Sequence, residues 1–198
     1  MKTRKIAWSF LALILSTFPF LVDAQIDYCK YKRESDCMST RAIKIKARDL
    51  DAYLFDLENY NGKAPKYIFV QGDLSDSKNA DNLSKYEIKT LVLRKARLTK
   101  IPDWVFDIKT LETLDLGDNY IDELSPEVCN LYELKELYLW VNDLHNLPFC
   151  VNEMVNLRRV DMTGIKLNID DQKNLTNSFR AVNFIFSEPC LCNFGEED

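Results

Sequence analysis

Apolar side chains recur every 23 residues through the middle of this chain, over four successive units. Four in-phase columns keep this interval, and every member of them is aliphatic or methionine. The columns start at Ile88, Leu91, Leu93 and Leu98. A unit of this length cannot bury its apolar side alone, so successive units stack and share one core. The repeat therefore predicts a solenoid.

Each unit combines two apolar periodicities. Leu137 and Leu139 are separated by one residue, which is the spacing of a short strand that buries every second side chain. Beyond the strand the apolar spacing widens to three or four residues, as in a helical or 3₁₀ turn. We therefore expect a parallel sheet on one side of the solenoid and short helical segments on the other.

Two units follow the pattern L-x-x-L-x-L-x-x-N-x-L closely, namely LETLDLGDNYI (111–121) and LKELYLWVNDL (134–144). With this pattern, and with tails such as Ile101-Pro102, the chain resembles the leucine-rich-repeat family, most strongly over residues 88–167. The resemblance implies an α/β solenoid shaped as a short horseshoe. Its parallel sheet would line the concave face, short helical segments the convex side, and a cap would cover each end.

The asparagine position of the motif is occupied by Asn119 and Asn142. We expect their amides to satisfy backbone groups where the chain turns away from the strand. Ala96 and Ile165 stand at the same position in the outer units and carry no amide. The asparagine ladder is therefore expected to be interrupted at both ends.

The repeat pattern decays towards both ends of the chain. Ile68 and Val70 are in phase one unit earlier, and Ile45 and Ala47 two units earlier. We expect four regions: a signal peptide (1–24), an N-terminal cap (25–64), the leucine-rich repeats (65–167) and a C-terminal cap with an acidic tail (168–198).

The C-terminal cap is expected to contain one helix and one strand. Asn168 or Asp170 is a suitable N-cap for a short helix that extends towards Phe179. Residues 182–186 alternate in the manner of a last strand.

The N-terminus has the composition of a targeting segment. Lys2, Arg4 and Lys5 precede an apolar run over residues 6–22, and we expect cleavage before Gln25. The alternative is an uncleaved membrane anchor, for which this run is short. We expect a secreted or extracellular protein without stable membrane insertion, located in the periplasm or cell envelope if the source is bacterial.

Six cysteines follow the signal segment, and six cysteines allow 15 complete pairings. An exported chain favours disulfides, and we expect Cys29 and Cys37 to close a loop over the first unit. Cys129 pairs with Cys150 across the stack, or Cys150 pairs instead with one of the tail cysteines. Those tail cysteines are Cys190 and Cys192. Their one-residue spacer and the presence of a single histidine disfavour zinc, so no metal site is predicted.

The charge balance argues against a nucleic-acid partner. The chain has 31 acidic and 26 basic residues and a formal net charge of −5, whereas phosphate binding needs a concentrated positive field. The front of the mature chain is basic and its last three residues are acidic, which is typical of a solvated face and a frayed end.

The outward-pointing strand positions decide what a horseshoe of this kind binds. Tyr138 and Trp140 depart from the small polar groups expected there, and we expect them to project from one face as exposed anchors. The alternative is that they pack on each other and on a cap. The predicted protein-binding residues are Arg94, Asp115, Asp118, Tyr138, Trp140, Arg159 and Asp161. The aspartates are too dispersed for a calcium loop.

Catalysis is not expected. His145 is the single histidine and stands without an obvious nucleophile, no phosphate-binding loop is present, and no cofactor is predicted. The resemblance favours recognition of an extracellular protein. The alternatives are inhibition of a secreted enzyme and a carbohydrate-binding role in the cell envelope. Asn82 and Asn174 are candidate glycosylation acceptors in a eukaryote. The sequence leaves the oligomeric state open.

Overall fold

The computed structural model describes residues 42–59 and 64–190 in full, together with the backbone of residues 29–30. The predicted signal peptide, Cys37, Cys192 and the acidic tail lie outside these residues, as does the side chain of Cys29. The described strands form one parallel sheet of eight in sequence order. They are β1 (Cys29–Lys30), β2 (Ala42–Lys46), β3 (Tyr67–Gln71), β4 (Thr90–Val92), β5 (Thr113–Asp115), β6 (Glu136–Tyr138), β7 (Arg159–Met162) and β8 (Asn183–Phe186).

Helical segments follow the strands on the opposite side of the solenoid. The described residues contain two α-helices, α1 (Ala47–Asn59) after β2 and α2 (Ile169–Ser178) after β7. The remaining coils use 3₁₀ helices: Leu74–Asp76, Ala80–Lys85, Asp103–Asp107, Pro126–Asn130 and Phe149–Glu153. None of the described helices is both long enough and apolar enough to cross a bilayer.

The strand register confirms the predicted repeat. Leu91, Leu114, Leu137 and Val160 are direct partners on successive strands. Each is at most 1% exposed, so this column runs along the centre of one continuous core. Burial of four such side chains in line is what holds neighbouring coils together, because no coil has enough apolar surface to fold alone.

The first described coil is longer than the others, and the predicted alignment there is wrong by two residues. Ile43 pairs with Ile68, and Ile45 pairs with Val70. Ala47 is not a strand residue, since it begins α1. An α-helix rises only about 1.5 Å per residue, so a coil that includes 13 helical residues needs more chain to span the same distance than a coil with a short 3₁₀ helix.

The asparagine ladder works as predicted. Asn119 Oδ1 accepts hydrogen bonds from the Ala96 and Leu98 N–H groups at 2.9 and 3.1 Å. Asn119 Nδ2 donates to the carbonyls of Leu93 and Leu116 at 2.9 and 2.7 Å. One buried side chain thus satisfies four backbone groups of two adjacent coils. These groups lie in irregular turns and would otherwise be buried without hydrogen-bond partners.

The C-terminal coil follows the predicted order of helix and strand. Asn168 is the N-cap of α2 and forms a capping box with Asp171. In β8, the rings of Phe184 and Phe186 stack with centroids 5.5 Å apart. Both are only partly buried, because no further coil of the described chain covers them.

A disulfide joins two neighbouring coils on the convex side. Cys129 and Cys150 are bonded, with Cα atoms 6.1 Å apart, and they lie in consecutive 3₁₀ helices. This is the across-stack pairing, rather than a bond from Cys150 to the tail. Cys190 is also disulfide-bonded.

Candidate recognition surface

Side chains between the buried columns point away from the core and form what we call the open face of the sheet. It corresponds to the predicted concave face. Its central ladder, given by the strand register, consists of Lys44, Phe69, Val92, Asp115, Tyr138 and Asp161. Six of the seven predicted site residues lie on strands β4–β7 or within two residues of a strand end, whereas Asp118 lies further along in the turn that follows β5.

Tyr138 is not an exposed anchor, and this expectation is wrong. Its side chain is only 3% exposed. The Arg159 guanidinium lies over the ring, 5.4 Å from its centroid, and the hydroxyl donates to Glu136 Oε2 at 3.1 Å. Burial raises the pKa of Tyr138 well above its ordinary value. Parallel strands are only about 4.8 Å apart, so a long side chain on one strand covers its neighbour on the next.

Trp140 remains half-buried on the open face and is supported from below by Gly117 of the preceding coil. A Cβ built at Gly117 would overlap the indole, so the ring occupies the space above the glycine. The Arg94 guanidinium lies 5.6 Å from the indole centroid, within the range of a cation–π contact. A glycine floor and a neighbouring cation fix the indole in one place.

Two buried aspartates hold the two arginines of the open face. Asp115 accepts hydrogen bonds from Arg94 Nε and Nη2 at 2.8 and 2.5 Å. Asp161 Oδ2 lies 3.6 Å from Arg159 Nη2. The aspartates are 2% and 0% exposed, so they position the guanidinium groups and are themselves covered.

Each of these aspartates also accepts a hydrogen bond from the backbone just after its own strand. Asp115 Oδ1 accepts from the Gly117 N–H, and Asp161 Oδ1 accepts from the Thr163 N–H, both at 3.0 Å. In both coils the aspartate accepts a hydrogen bond from the backbone N–H two residues later in the chain. This repetition indicates a structural role for the two aspartates. Asp118 is more exposed, and its carboxylate lies 3.2 Å from Lys95 Nζ.

A second charged ladder runs along the residues that lead into the strands. Glu112 lies between Lys89 and Lys135, with nitrogen–oxygen distances of 2.8 and 2.6 Å. The hydrogen bond from Lys135, and then the one from Lys89, lower the pKa of Glu112 to about 2. The carboxylate is therefore ionised over the whole physiological range.

Sequence reasoning missed the N-terminal part of the open face. Lys44 Nζ lies 4.1 Å from the centroid of the Phe69 ring, and the Arg94 guanidinium lies 5.9 Å from it on the next coil. The signal available was the alternation of Ile68, Phe69 and Val70. The longer first coil hid the position of Lys44, because a strict step of 23 residues does not align it with Phe69.

The remaining predicted sites lie away from the open face. His145 is exposed and lines a groove of about 440 Å³ with Asp122, Glu123 and Phe149 among others. Asn82 is half-buried in a 3₁₀ helix, and Asn174 is exposed in α2. Within residues 42–59 and 64–190, no three His, Cys, Asp or Glu side chains cluster so that they could hold a metal ion.

Comparison with known proteins agrees with the repeat pattern. No protein-family profile matches the chain. It is 38% identical over 72 residues to human leucine-rich repeat-containing protein 7, covering 36% of this chain and 5% of that protein. It is 32% identical over 100 residues to leucine-rich repeat serine/threonine-protein kinase 1 from Mus musculus, covering 46% of this chain and 5% of the kinase. The similarity thus spans a small part of each relative.

Two solved structures share the fold at low sequence identity. A leucine-rich-repeat protein from Leptospira interrogans superposes with a TM-score of 0.52 at 21% identity, over 63% of this chain and 32% of that one. An internalin from Listeria monocytogenes superposes with a TM-score of 0.51 at 14% identity, over 77% of this chain and 48% of the internalin chain.

The stacked coils, with one parallel strand and one short helical segment each, define a β-solenoid with helices on its convex side. The buried leucine columns, the asparagine ladder and these similarities identify the fold as a leucine-rich-repeat solenoid.

Proposed function

We propose that this chain is an extracellular recognition protein that binds another protein through the open face of its sheet. The observation that carries the proposal is Trp140, which is only half-buried, whereas the other aromatic side chains of the open face, Phe69 and Tyr138, are buried. A tryptophan on a rigid support is the kind of side chain that contributes most to binding energy at protein interfaces.

The rigidity of the surface supports the proposal. Trp140 and Arg94 are held by Gly117 and Asp115, which belong to the strand between theirs and the turn after it. A partner would therefore meet an indole that is already ordered, and little conformational entropy would be lost on binding.

The charge pattern favours a protein partner over a polyanion. The arginines of the open face are each matched by a carboxylate, Arg94 by Asp115 and Arg159 by Asp161. A mixed and internally paired surface gives specificity for a shape and a pattern of polar groups, whereas nucleic acids are bound by unbalanced positive charge. Inhibition of a secreted enzyme would be one form of this recognition.

The extracellular location is supported by the covalent bond between adjacent coils. Disulfides such as Cys129–Cys150 persist in oxidising compartments and are rare in the cytosol. The basic lead and apolar run of residues 1–24 are consistent with export.

A matched pair of tryptophan substitutions tests the proposal. Trp140→Ala removes the indole from the open face, and Trp104→Ala removes one from the convex 3₁₀ helix Asp103–Asp107. Proteins retained from the native extracellular fluid are identified on the wild-type chain, and their affinities for both variants are then measured.

We expect Trp140→Ala to lower the affinity for the identified partner about 30-fold, which is roughly 2 kcal/mol. Trp104→Ala should leave this affinity unchanged. Circular dichroism checks that both variants are folded. Equal affinities for the wild type and Trp140→Ala would refute the proposal. Saccharide binding on a glycan array that depends on Trp140, with no protein partner, would favour the carbohydrate-binding alternative.

A further inference from the structure

The residues that follow the strands share an unusual backbone conformation. In successive coils Gly72, Lys95, Asp118, Val141 and Gly164 all have positive φ, at 101°, 55°, 57°, 52° and 76°. The turn away from the sheet therefore requires the left-handed region at this column. Glycine enters it freely and aspartate tolerates it, but a β-branched residue such as valine is strongly disfavoured there.

Burial does not compensate for this conformation at Val141. Its side chain is 46% exposed, so it contributes less to the core than the leucines on either side. The backbone hydrogen bond at this residue, from the Val141 N–H to the Thr163 carbonyl at 2.8 Å, is open to any residue except proline. This hydrogen bond therefore gives no reason for valine at the position. Strained residues of this kind concentrate at functional sites.

The neighbouring coils leave room for the Val141 side chain. A Cβ built at Gly164 would lie 2.8 Å from Val141 Cγ2, so the valine side chain covers the glycine of the next coil. Trp140 covers Gly117 of the preceding coil in the same way. Two consecutive large apolar side chains thus lie over two glycines, with Val141 exposed and Trp140 half-buried. We call this pair the Trp140–Val141 ridge.

We propose that the Trp140–Val141 ridge binds an uncharged apolar side chain from a segment of a protein partner, and that Val141 serves this contact at the expense of stability. This inference rests on the proposed function of the open face. The occupant follows from the charges around the ridge. Lys95 is paired with Asp118 at 3.2 Å and Arg94 with Asp115 at 2.5 Å, so the ridge has no unbalanced charge to match. The complement of such a surface is apolar.

The inference predicts opposite effects of one substitution on stability and on binding. Val141→Gly relieves the backbone strain and removes the apolar side chain. We expect the melting temperature to rise by about 2–4 °C and the affinity for the partner segment to fall about tenfold. Arg97→Gly is the matched control, because Arg97 has the same positive φ of 56° but lies outside the ridge. It should leave affinity unchanged.

A random 12-residue peptide library displayed on phage supplies the probe. Peptides enriched on the wild-type chain are synthesised, and their dissociation constants are measured for the wild type, Val141→Gly, Arg97→Gly and Trp140→Ala. We expect the enriched peptides to share an aliphatic or aromatic residue without flanking charge and to lose about tenfold in affinity for Val141→Gly.

The outcomes separate this inference from the proposed function. Loss of binding with Trp140→Ala but not with Val141→Gly would refute the inference and leave the proposed function standing. If neither variant lowers the affinity for the peptides, or if no peptide is enriched at all, both the inference and the proposed function are refuted. A Val141→Gly chain that is no more stable than the wild type would also overturn the inference, since valine would then have no folding penalty to explain.

Discussion

The Asn142 side chain bridges two coils by accepting a hydrogen bond from the Ile121 N–H, 2.9 Å from its Oδ1 atom. Its Nδ2 atom also donates to the carbonyls of Leu116 and Leu139 at 3.0 and 2.9 Å. The residue is 5% exposed, so water cannot replace these bonds. The stack therefore depends on buried polar groups as well as on its leucine columns.

Replacement of this amide should destabilise the solenoid strongly. Asn142→Ala leaves the Ile121 N–H and two carbonyls without their buried partner, and each unsatisfied group costs about 1–3 kcal/mol. We expect a loss of at least about 3 kcal/mol in the free energy of unfolding, measured by urea denaturation. Asn130→Ala, at an exposed position of a 3₁₀ helix, is the control and should change stability little. A similar small effect of both substitutions would contradict the prediction.

Gly117 and Trp140 should be energetically coupled. Gly117→Ala places a methyl group inside the volume of the indole, so the ring must move or the strands must separate. We expect a destabilisation of about 1–3 kcal/mol in the wild-type background. In a Trp140→Ala background the same methyl group meets open space and should be nearly neutral. A double-mutant cycle measures this difference, and additive effects would show that the indole does not rest on the glycine.

The repeat could be predicted because it is a one-dimensional signal. Each core position is occupied by the same class of side chain at a constant interval, so Leu114 and Leu137 identify their register without any knowledge of distant contacts. The prediction was wrong at Ala47, where a 13-residue helix lengthens the coil. Two extra residues in the interval change the register but keep the inward–outward alternation, which has a period of two, so the strand pattern did not reveal the shift.

The open face was harder to predict than the core. Alternation shows that Tyr138 points away from the core, and the structure agrees with this direction. It does not reveal that Arg159, on the next strand, folds over the ring and covers it. Exposure on a sheet depends on the lengths and charges of neighbours one strand away. Those neighbours are 21 to 23 residues distant in sequence, and the alternation of apolar and polar residues does not indicate their rotamers.

The convex disulfide should contribute measurably to stability. Cys129 and Cys150 are 21 residues apart, so the bond restricts the unfolded chain by closing a loop of that length. In the chain-entropy description such a loop is worth about 3 kcal/mol. We expect the double variant Cys129→Ala/Cys150→Ala to lose about 2–3 kcal/mol in guanidinium denaturation. A loss below about 0.5 kcal/mol would mean that coil stacking already constrains these two segments in the unfolded ensemble.

The carboxylate between Lys89 and Lys135 should make stability depend on pH in the acid range. The hydrogen bonds from Lys135 and Lys89 hold the pKa of Glu112 at about 2 in the folded chain, below the value of about 4.3 for an unstructured glutamate. A depressed folded pKa stabilises the protein fully above the unfolded pKa. That contribution is lost as the pH falls from about 4.5 through 2, because protonation then costs the folded state more than the unfolded state.

The substitution Glu112→Gln isolates this contribution. A third of the Glu112 side chain is exposed, so solvent screening limits its effect to about 1 kcal/mol or less at pH 7. The difference between wild type and Glu112→Gln in the free energy of unfolding should be present at pH 6, shrink below pH 4.5 and vanish only below the folded pKa of about 2. Moderate salt should also reduce it, because the three groups lie near the surface. Glu153→Gln, an exposed carboxylate on the convex side, serves as the control and should show no comparable change with pH. A difference that grows as the pH falls would have the wrong sign and would mean that the lysines do not hold the carboxylate in solution.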